Sequence, residues 1–413
     1  MADAAGVPQP AIGIGGRQAA ARARAAALWA GMVALSALAA CNTVVPRGPV
    51  DRAPPPPVRG PQLPRPNPGV DTGVVQDAER HRVALLVPLT GRNAALGQSL
   101  ANATQLALLD TGNDKVRITT YDTGAGAGAA ASRALADGAQ LILGPLLADD
   151  VRAVVPVARA ARVPVVSFSN DVSVAGAGSY LLGYAPAQSV DRVVGFARAH
   201  GVANFGALVP NALYGQRTST AFLRAVEADG GKVIALQTFD RASGGIAAAS
   251  AQLAKKGPYD AVLVADSGAN AAVAGPVLKR GGAALHLLGT ELWNSETTLG
   301  ARPALNGAWF ASVSDTLYRQ YRTKYRARFG ADPYRLSSLG YDSVLLVVRI
   351  ARDWPVGAAF PESRLRDRGG FSGIDGAFRF GRDGVAERAL EVHEVRGGTV
   401  TTVSPAPLGF DDR

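Results

Sequence analysis

Residues 141–171 read LILGPLLADDVRAVVPVARAARVPVVSFSND, and this stretch decides the fold. Two short apolar runs, at 141–143 and 163–166, flank about 20 residues with the pattern of an amphipathic helix. Continuous apolar runs are typical of parallel strands that are buried on both faces, and such strands need a crossover of this length. The stretch therefore predicts one βαβ unit. Its Gly144-Pro145 turn and its polar end at 167–170 lie on the sheet edge where open α/β folds bind ligands.

The same alternation continues on both sides of this unit. Before it come a buried strand, the loop Pro88-Leu89-Thr90-Gly91, an amphipathic helix, a strand at 116–121 and an alanine-rich helix. After residues 180–185 the alternation starts again and runs to about residue 288, which predicts a second parallel sheet. Residues 309–313 are interpreted as a return crossing, and short strands are expected in the tail. Two α/β sheets in succession predict two lobes.

Composition excludes several classes of protein. The chain has 413 residues, more than one hydrophobic core usually serves, and a formal net charge of +10. The charge comes from scattered arginines, and only 6% of residues are aromatic, so no nucleic-acid partner is expected. The single cysteine, Cys41, excludes an intramolecular disulfide and a cysteine zinc cluster.

Residues 1–40 have the pattern of an export signal, with three arginines before an apolar run at 25–40. The segment Leu38-Ala39-Ala40-Cys41 resembles the bacterial lipobox, which implies that Cys41 is lipidated and becomes the mature N-terminus. Two or three acyl chains would hold the protein stably at a membrane. Because Asn42 follows the cysteine instead of aspartate, the outer membrane is favoured over the inner membrane. The alternative is a signal that is cut elsewhere and an incidental thiol.

Residues 41–80 are rich in proline and are predicted to be a linker without a core. At about 3.1 Å per residue, an extended polyproline conformation would reach on the order of 100 Å. The segment is either a tether with a geometric purpose or a plain spacer. At the other end, residues 405–413 are predicted to be a disordered tail.

From residue 81 to about residue 403 the chain resembles the type I periplasmic binding proteins, specifically the branched-chain amino acid (leucine) binding group. The matching motifs are Pro88-Leu89-Thr90-Gly91, Gly144-Pro145, residues 163–170, Tyr214-Gly215, and the segment GAFRF at 376–380 followed by Gly384. The resemblance implies an α/β fold of two Rossmann-like lobes with parallel sheets, joined by hinge strands around a ligand cleft. Lobe one is expected at 81–184 plus 309–369, and lobe two at 185–308 plus 370–404.

The resemblance also implies ligand-binding residues at the strand ends. In amino acid binders of this fold, the first lobe holds the ligand carboxylate, and the second lobe closes over the ammonium group. The matching first-lobe positions are Thr90, Gly144, Pro145, Ser167, Ser169 and Asn170. The second-lobe candidates are Tyr214, Asp266 and Glu291. The alternative for each residue is a turn or helix cap, which is the common role of such residues before helices.

No enzyme motif is present in the sequence. It has neither a Gly-x-Ser-x-Gly elbow nor a His-Glu-x-x-His helix, and its four histidines are scattered. The three glycines at 124–128 resemble a dinucleotide fingerprint, but they follow the second predicted strand and no acid ends the next one. A non-enzymatic protein without cofactor or metal is therefore predicted. Hydrolysis by paired carboxylates is the alternative that the sequence leaves open.

Two functions follow from these patterns. A lipobox and a proline-rich linker before a leucine-binding-like domain resemble the lipoproteins called penicillin-binding protein activators, which stimulate a peptidoglycan synthase. The helical repeats of the best-known activators have no counterpart at 42–80. The alternative is an amino acid-binding receptor that serves an ABC importer.

Overall fold

The structure is a computed structural model that describes residues 79–242, 244–281, 284–407 and 410. The predicted signal peptide, the lipobox cysteine and nearly all of the predicted linker lie outside the described residues. Among the described helices, none is both long and apolar enough to cross a membrane.

Five parallel strands form the sheet of the first lobe. They are β1 (His81–Val87), β2 (Val116–Asp122), β3 (Leu141–Leu143), β4 (Val165–Ser167) and β5 (Ser179–Leu181), in the spatial order β2-β1-β3-β4-β5. The connecting helices are α1 (Ala94–Thr111), α2 (Ala127–Ala136) and α3 (Ala148–Ala160). Strands β3 and β4 are buried throughout, as their apolar sequence predicts. The opening stretch is thus a βαβ unit at the centre of this sheet.

The second lobe repeats the pattern. Its parallel strands are β6 (Asn204–Pro210), β7 (Lys232–Phe239), β8 (Ala261–Val264), β9 (His286–Gly289) and β10 (Trp309–Ser312), in the spatial order β10-β9-β8-β6-β7. Its helices are α4 (Pro186–Ala199), α5 (Leu213–Ala228), α6 (Gly245–Ala254) and α7 (Gly268–Leu278). Apolar clusters cover both faces of this sheet, with Phe205 and Phe222 in one cluster and Trp293 in the other.

The chain then returns to the first lobe. Helices α8 (Thr316–Phe329) and α9 (Ser338–Ala351) precede a small antiparallel sheet of β11 (Phe371–Gly373), β12 (Gly376–Phe380) and β13 (Ala386–Arg388). Helix α9 packs along α1, and its Leu339 and Val347 join Leu85 in the first core. Strand β14 (Glu391–Arg396) pairs antiparallel with β10, and β15 (Thr399–Ser404) pairs antiparallel with β14 at the edge of the second sheet.

The predicted two-lobed α/β architecture with parallel sheets is confirmed, but the lobes exchange segments at different residues than expected. Strand β10 pairs with β9 and β14, so residues 309–312 belong to the second lobe. Phe371, Phe378 and Phe380 pack into the first core, so residues 371–388 belong to the first lobe. The chain therefore crosses between the lobes at 182–185, 313–315 and 389–390. The apolar side chains at these strands determine which core each segment joins.

Candidate ligand cleft

The first-lobe candidates Gly144, Pro145 and Ser167 lie together. Their polar groups form hydrogen bonds within this part of the chain. The amide of Gly144 donates to the carbonyl of Val166 (2.8 Å). The carbonyl of Pro145 accepts from the amide of Phe168 (3.0 Å) and from Ser167 Oγ (2.9 Å). These bonds join the ends of β3 and β4 at the expected sheet edge, and they occupy the Ser167 hydroxyl.

The other first-lobe candidates are Ser169, Thr90 and Asn170. Ser167 Oγ accepts from the amide of Ser169 (3.0 Å), and Ser169 Oγ accepts from the amide of Asp171 (3.1 Å). Thr90 is exposed and donates to Asp122 Oδ2 (2.7 Å). Asn170 is exposed. The turn role, which the sequence left as the alternative, describes the contacts of Ser167 and Ser169, whereas the Thr90 hydroxyl bonds to a side chain at the end of β2.

An ion pair that the sequence did not predict joins the lobes across the cleft. Asp171 follows β4 in the first lobe, and Arg217 lies on α5 in the second. Arg217 Nη2 is 2.5 Å from Asp171 Oδ1, and Arg152 Nη2 of α3 is 3.0 Å from Oδ2. Burial opposes ionisation of Asp171, but the hydrogen bonds from Arg217 and Ser173 and the charge of Arg217 together outweigh it and lower the pKa to about 2. We name the Asp171–Arg217 contact the interlobe ion pair.

We expect Arg217→Ala to favour the separated arrangement of the lobes, since a hydrogen bond between charged groups contributes about 1.5–3 kcal/mol. That loss shifts the equilibrium between closed and open lobes about tenfold or more. The radius of gyration from small-angle X-ray scattering should increase. Arg152→Ala is the matched control, because it removes an arginine from the same carboxylate and leaves the interlobe ion pair in place. Identical scattering from both variants would contradict a closing role for Arg217.

Two of the three second-lobe candidates lie together. The Tyr214 hydroxyl at the start of α5 is 2.9 Å from Thr290 Oγ1 and donates to Glu291 Oε1 (3.0 Å). Ser189 Oγ of α4 donates to the other oxygen of Glu291. Burial raises the pKa of Glu291, and the hydrogen bonds from Ser189 and Tyr214 reduce that rise. The carboxyl group is therefore buried and held from two sides.

Asp266 lies apart from this cluster. Its Oδ2 pairs with Arg241 Nε (2.8 Å), and its Oδ1 accepts from the amide of Ser267 (2.7 Å) and from Asn270 Nδ2 (3.0 Å). These contacts hold the first turn of α7 and the loop after β7.

A buried charged cluster connects three segments of the first lobe beside the crossings. Arg335 Nη1 is 2.7 Å from Asp375 Oδ1, and the side chains are 10% and 0% exposed. Tyr184, on the first crossing, donates to the other oxygen of Asp375 and is 3.0 Å from Ser338 Oγ. We name Tyr184, Arg335, Ser338 and Asp375 the hinge cluster. No local sequence pattern indicates this cluster, because its members are separated by up to 191 residues.

Arg388 lies next to the hinge cluster at the end of β13. Its guanidinium carbon is 4.8 Å from the centre of the Tyr184 ring, and its Nη2 donates to the carbonyl of Leu182 (2.6 Å). Asp342 of α9 is also buried here and accepts from the amide of Ile374 (2.7 Å).

A small cavity lies where the two lobes meet at the crossings. It has a volume of about 30 Å³ and is lined by Tyr184, Ala185, Gln188, Ser189, Glu291, Asn294, Ser312, Val313, Arg335, Arg388 and Leu390. This volume holds about two water molecules. Of the nine sequence candidates, only Glu291 lines it. A larger molecule requires the lobes to separate.

The part of the chain that the structure describes contains no group of three or more His, Cys, Asp or Glu residues placed to hold a metal ion. The cavity lining offers charge and hydrogen-bond complementarity to a solute: a buried carboxyl on the side of the second lobe and two guanidiniums on the other.

Comparison with known proteins agrees with this architecture. The family model described as periplasmic binding protein matches residues 81–399. An uncharacterised protein of Rickettsia prowazekii is 26% identical over 139 residues, which are 33% of this chain and 37% of that protein. The match thus spans about a third of the length of that relative.

Solved structures share the fold at low identity. A leucine-binding protein from Thermotoga maritima is 19% identical, with a TM-score of 0.59, and the match covers 79% of this chain and 98% of that one. A branched-chain amino acid ABC transporter periplasmic ligand-binding protein from Burkholderia xenovorans is 16% identical, with a TM-score of 0.65 and coverage of 79% and 96%. A solute-binding protein of an ABC transporter from Rhodopseudomonas palustris, in complex with 3,4-dihydroxybenzoic acid, is 19% identical, with a TM-score of 0.62 and coverage of 81% and 98%.

Proposed function

Because the chain belongs to the periplasmic binding protein family, which matches residues 81–399, we propose that its interlobe cleft binds a small polar solute. Membership in this family implies a periplasmic location. The observation that carries the proposal is the cavity at the crossings, which is lined by Glu291 of the second lobe and by Arg335 and Arg388. A solute enters when the lobes separate and is enclosed when they close.

The polar groups around the cavity favour a solute with its own charges. Tyr214 and Ser189 hold the carboxyl of Glu291 in position, so it can accept a hydrogen bond from an ammonium or hydroxyl group. The relatives named above are described as binding leucine, branched-chain amino acids or a dihydroxybenzoic acid. An amino acid receptor of an ABC importer is one form of this function.

The test is a thermal-shift panel on the full chain with leucine, isoleucine, benzoate, leucinamide and benzamide. A solute at 100 times its dissociation constant should add about 2.7 kcal/mol to the free energy of unfolding. Glu291→Gln should weaken a solute that donates to Glu291 by about tenfold or more, since hydrogen bonds to charged groups contribute about 1.5–3 kcal/mol. Asp266→Asn is the matched control, because Asp266 is a buried acid of the same lobe that does not line the cavity. A melting temperature that no solute changes would remove this proposal's support.

A second candidate function is favoured by the sequence of the N-terminal region. We also propose that Cys41 is lipidated and that the linker carries the binding domain across the periplasm from the outer membrane to a peptidoglycan synthase. Two features support this activator role. The segment Leu38-Ala39-Ala40-Cys41, followed by Asn42, resembles a lipobox, and the extended linker would reach on the order of 100 Å. A solute in the cleft would then regulate the contact with the synthase.

Stimulation of a purified penicillin-binding protein separates the activator from the import receptor. The lipidated chain in vesicles should increase the rate of peptidoglycan synthesis, and Cys41→Ser should abolish membrane attachment without unfolding the binding domain. An importer receptor would support solute uptake instead and leave synthesis unchanged. Recovery of the protein in the inner membrane fraction, with no synthase captured from membranes, would count against the activator role.

A further inference from the structure

We propose that Arg388, assisted by Arg335, forms an anion site at the base of the cleft that takes the carboxylate group of the solute. This inference rests on the solute-binding function proposed above and names the chemical class of the solute.

Arg388 is a buried cation with unused hydrogen-bond donors. The residue is only 8% exposed. Its Nη2 donates to the carbonyl of Leu182 (2.6 Å), whereas Nε and Nη1 have no hydrogen-bond partner among the described residues. A buried donor without an acceptor costs about 1–3 kcal/mol, and more for a charged group. An acceptor from outside the chain would remove that cost.

Aromatic rings hold the guanidinium of Arg388 in place. Its carbon lies 4.8 Å from the Tyr184 ring centre and 5.3 Å from the Phe378 ring centre. The amide of Arg388 also donates to Gln188 Oε1 (2.9 Å). The ring contacts stabilise the cation, but they do not replace hydrogen-bond acceptors for both free nitrogens. The side chain is thus preorganised for an acceptor.

Arg335 supplies a second cation at the same cavity. Its Nη1 pairs with Asp375, and its Nη2 is 3.4 Å from Asp315 Oδ1. Its Nε is buried and has no hydrogen-bond partner in the described part of the chain. Both arginines line the cavity, so an anion there would be attracted by two guanidiniums.

The charges around the cavity are shared unequally between Arg335 and Arg388. At Asp375, burial opposes ionisation, but Arg335 and then Arg388 outweigh it and hold the pKa below its ordinary value. Burial raises the pKa of Asp342 and of Glu291. Asp375 and Asp315 both pair with Arg335, whereas two nitrogens of Arg388 have no hydrogen-bond partner among the described residues. An added carboxylate would pair with Arg388, because buried charges are stable only when they are paired.

A carboxylate group fits both the chemistry and the space. Guanidiniums bind carboxylates through parallel N-H donors, and the 30 Å³ cavity has room for a small anion but not for a whole amino acid. The rest of the solute would extend toward Ser189 and Glu291, into space that opens when the lobes separate. Chloride carries the same charge as a carboxylate group and is of similar size. The test therefore distinguishes a solute carboxylate from a halide ion.

The first arm compares each acid of the panel with its primary amide, using isothermal titration calorimetry on the full chain. For the wild-type chain, an acid such as leucine or benzoate should bind at least about tenfold more tightly than leucinamide or benzamide. Arg388→Gln should remove that difference by weakening the acid alone, and Arg388→Lys should restore part of it. Equal affinities for acid and amide in the wild-type chain would overturn the proposal.

The second arm needs no substitution and does not depend on a bound solute. Crystals soaked in sodium bromide should show anomalous density beside Arg388, and added benzoate or leucine should displace it. Bromide that persists in the presence of a bound solute would identify a halide site and overturn the carboxylate assignment.

The two arms also separate this inference from the solute-binding function. If no solute binds but bromide occupies the cavity, the proposed function fails and the anion site stands. If solutes bind with equal affinity as acid and amide and bromide is absent, the function stands and the anion site fails.

Discussion

Asp375→Ala is expected to lower the free energy of unfolding by about 3–5 kcal/mol, because it takes the nearer and fully buried of two carboxylates away from a buried cation. Arg335 is 10% exposed and lies 2.7 Å from the Asp375 carboxylate, which is fully buried. The same substitution removes the acceptor of the Tyr184 hydroxyl. Urea denaturation followed by fluorescence measures the loss.

An exposed ion pair is the control for this substitution. Arg322 and Asp332 are 2.6 Å apart, but their side chains are 43% and 41% exposed. Solvent screens exposed pairs, so Arg322→Ala should change stability little. Equal losses in both variants would show that burial does not determine the contribution of the hinge cluster.

Gly144→Ala is expected to lower the free energy of unfolding by about 2–5 kcal/mol, the sum of a backbone term and a steric term. Gly144 has a φ of +84°, which disfavours residues with a Cβ. A Cβ at this position would also lie 2.1 Å from the carbonyl oxygen of Leu86 in the neighbouring strand. The strands β1 and β3 would have to separate, because a backbone carbonyl in a strand cannot move aside as the end of a flexible side chain can.

Gly91→Ala isolates the backbone term of that prediction. Gly91 has a similar φ of +79°, but no atom lies within 4 Å of a Cβ added there. Its alanine variant should lose only about 1–2 kcal/mol, the cost of the left-handed conformation. Thermal or urea unfolding of the two variants side by side checks the difference. A loss at Gly144 no larger than at Gly91 would contradict the steric part.

The fold was predictable because its signals are local. The apolar runs of β3 and β4 and the helix between them lie within 27 residues, from Leu141 to Ser167, and parallel strands leave few connections to choose from. The lobe boundaries near 309 and 370 were not predictable in this way. Whether Trp309 or Phe371 joins one core or the other depends on surfaces formed by distant segments.

The candidate site was only partly predictable. Tyr214 and Glu291 both follow strand ends of one sheet, and the structure places them 3.0 Å apart. Ser167 and Ser169 also follow a strand end, but their hydroxyls bond within the turn. Sequence position does not distinguish these outcomes, because a hydroxyl at a strand end serves a turn as readily as a ligand.

The sequence by itself determined the two parallel sheets, their order along the chain and the edge at which 144–145 and 167–170 lie. Only the tertiary structure decided what meets at that edge. The interlobe ion pair joins residues 171 and 217, and the hinge cluster joins 184, 335 and 375. The physical reason is the separation along the chain between the residues that must be compared. The side-chain periodicity that identifies strands and helices is a pattern of near neighbours in the sequence, whereas the partner of a buried charge depends on how complete lobes pack together.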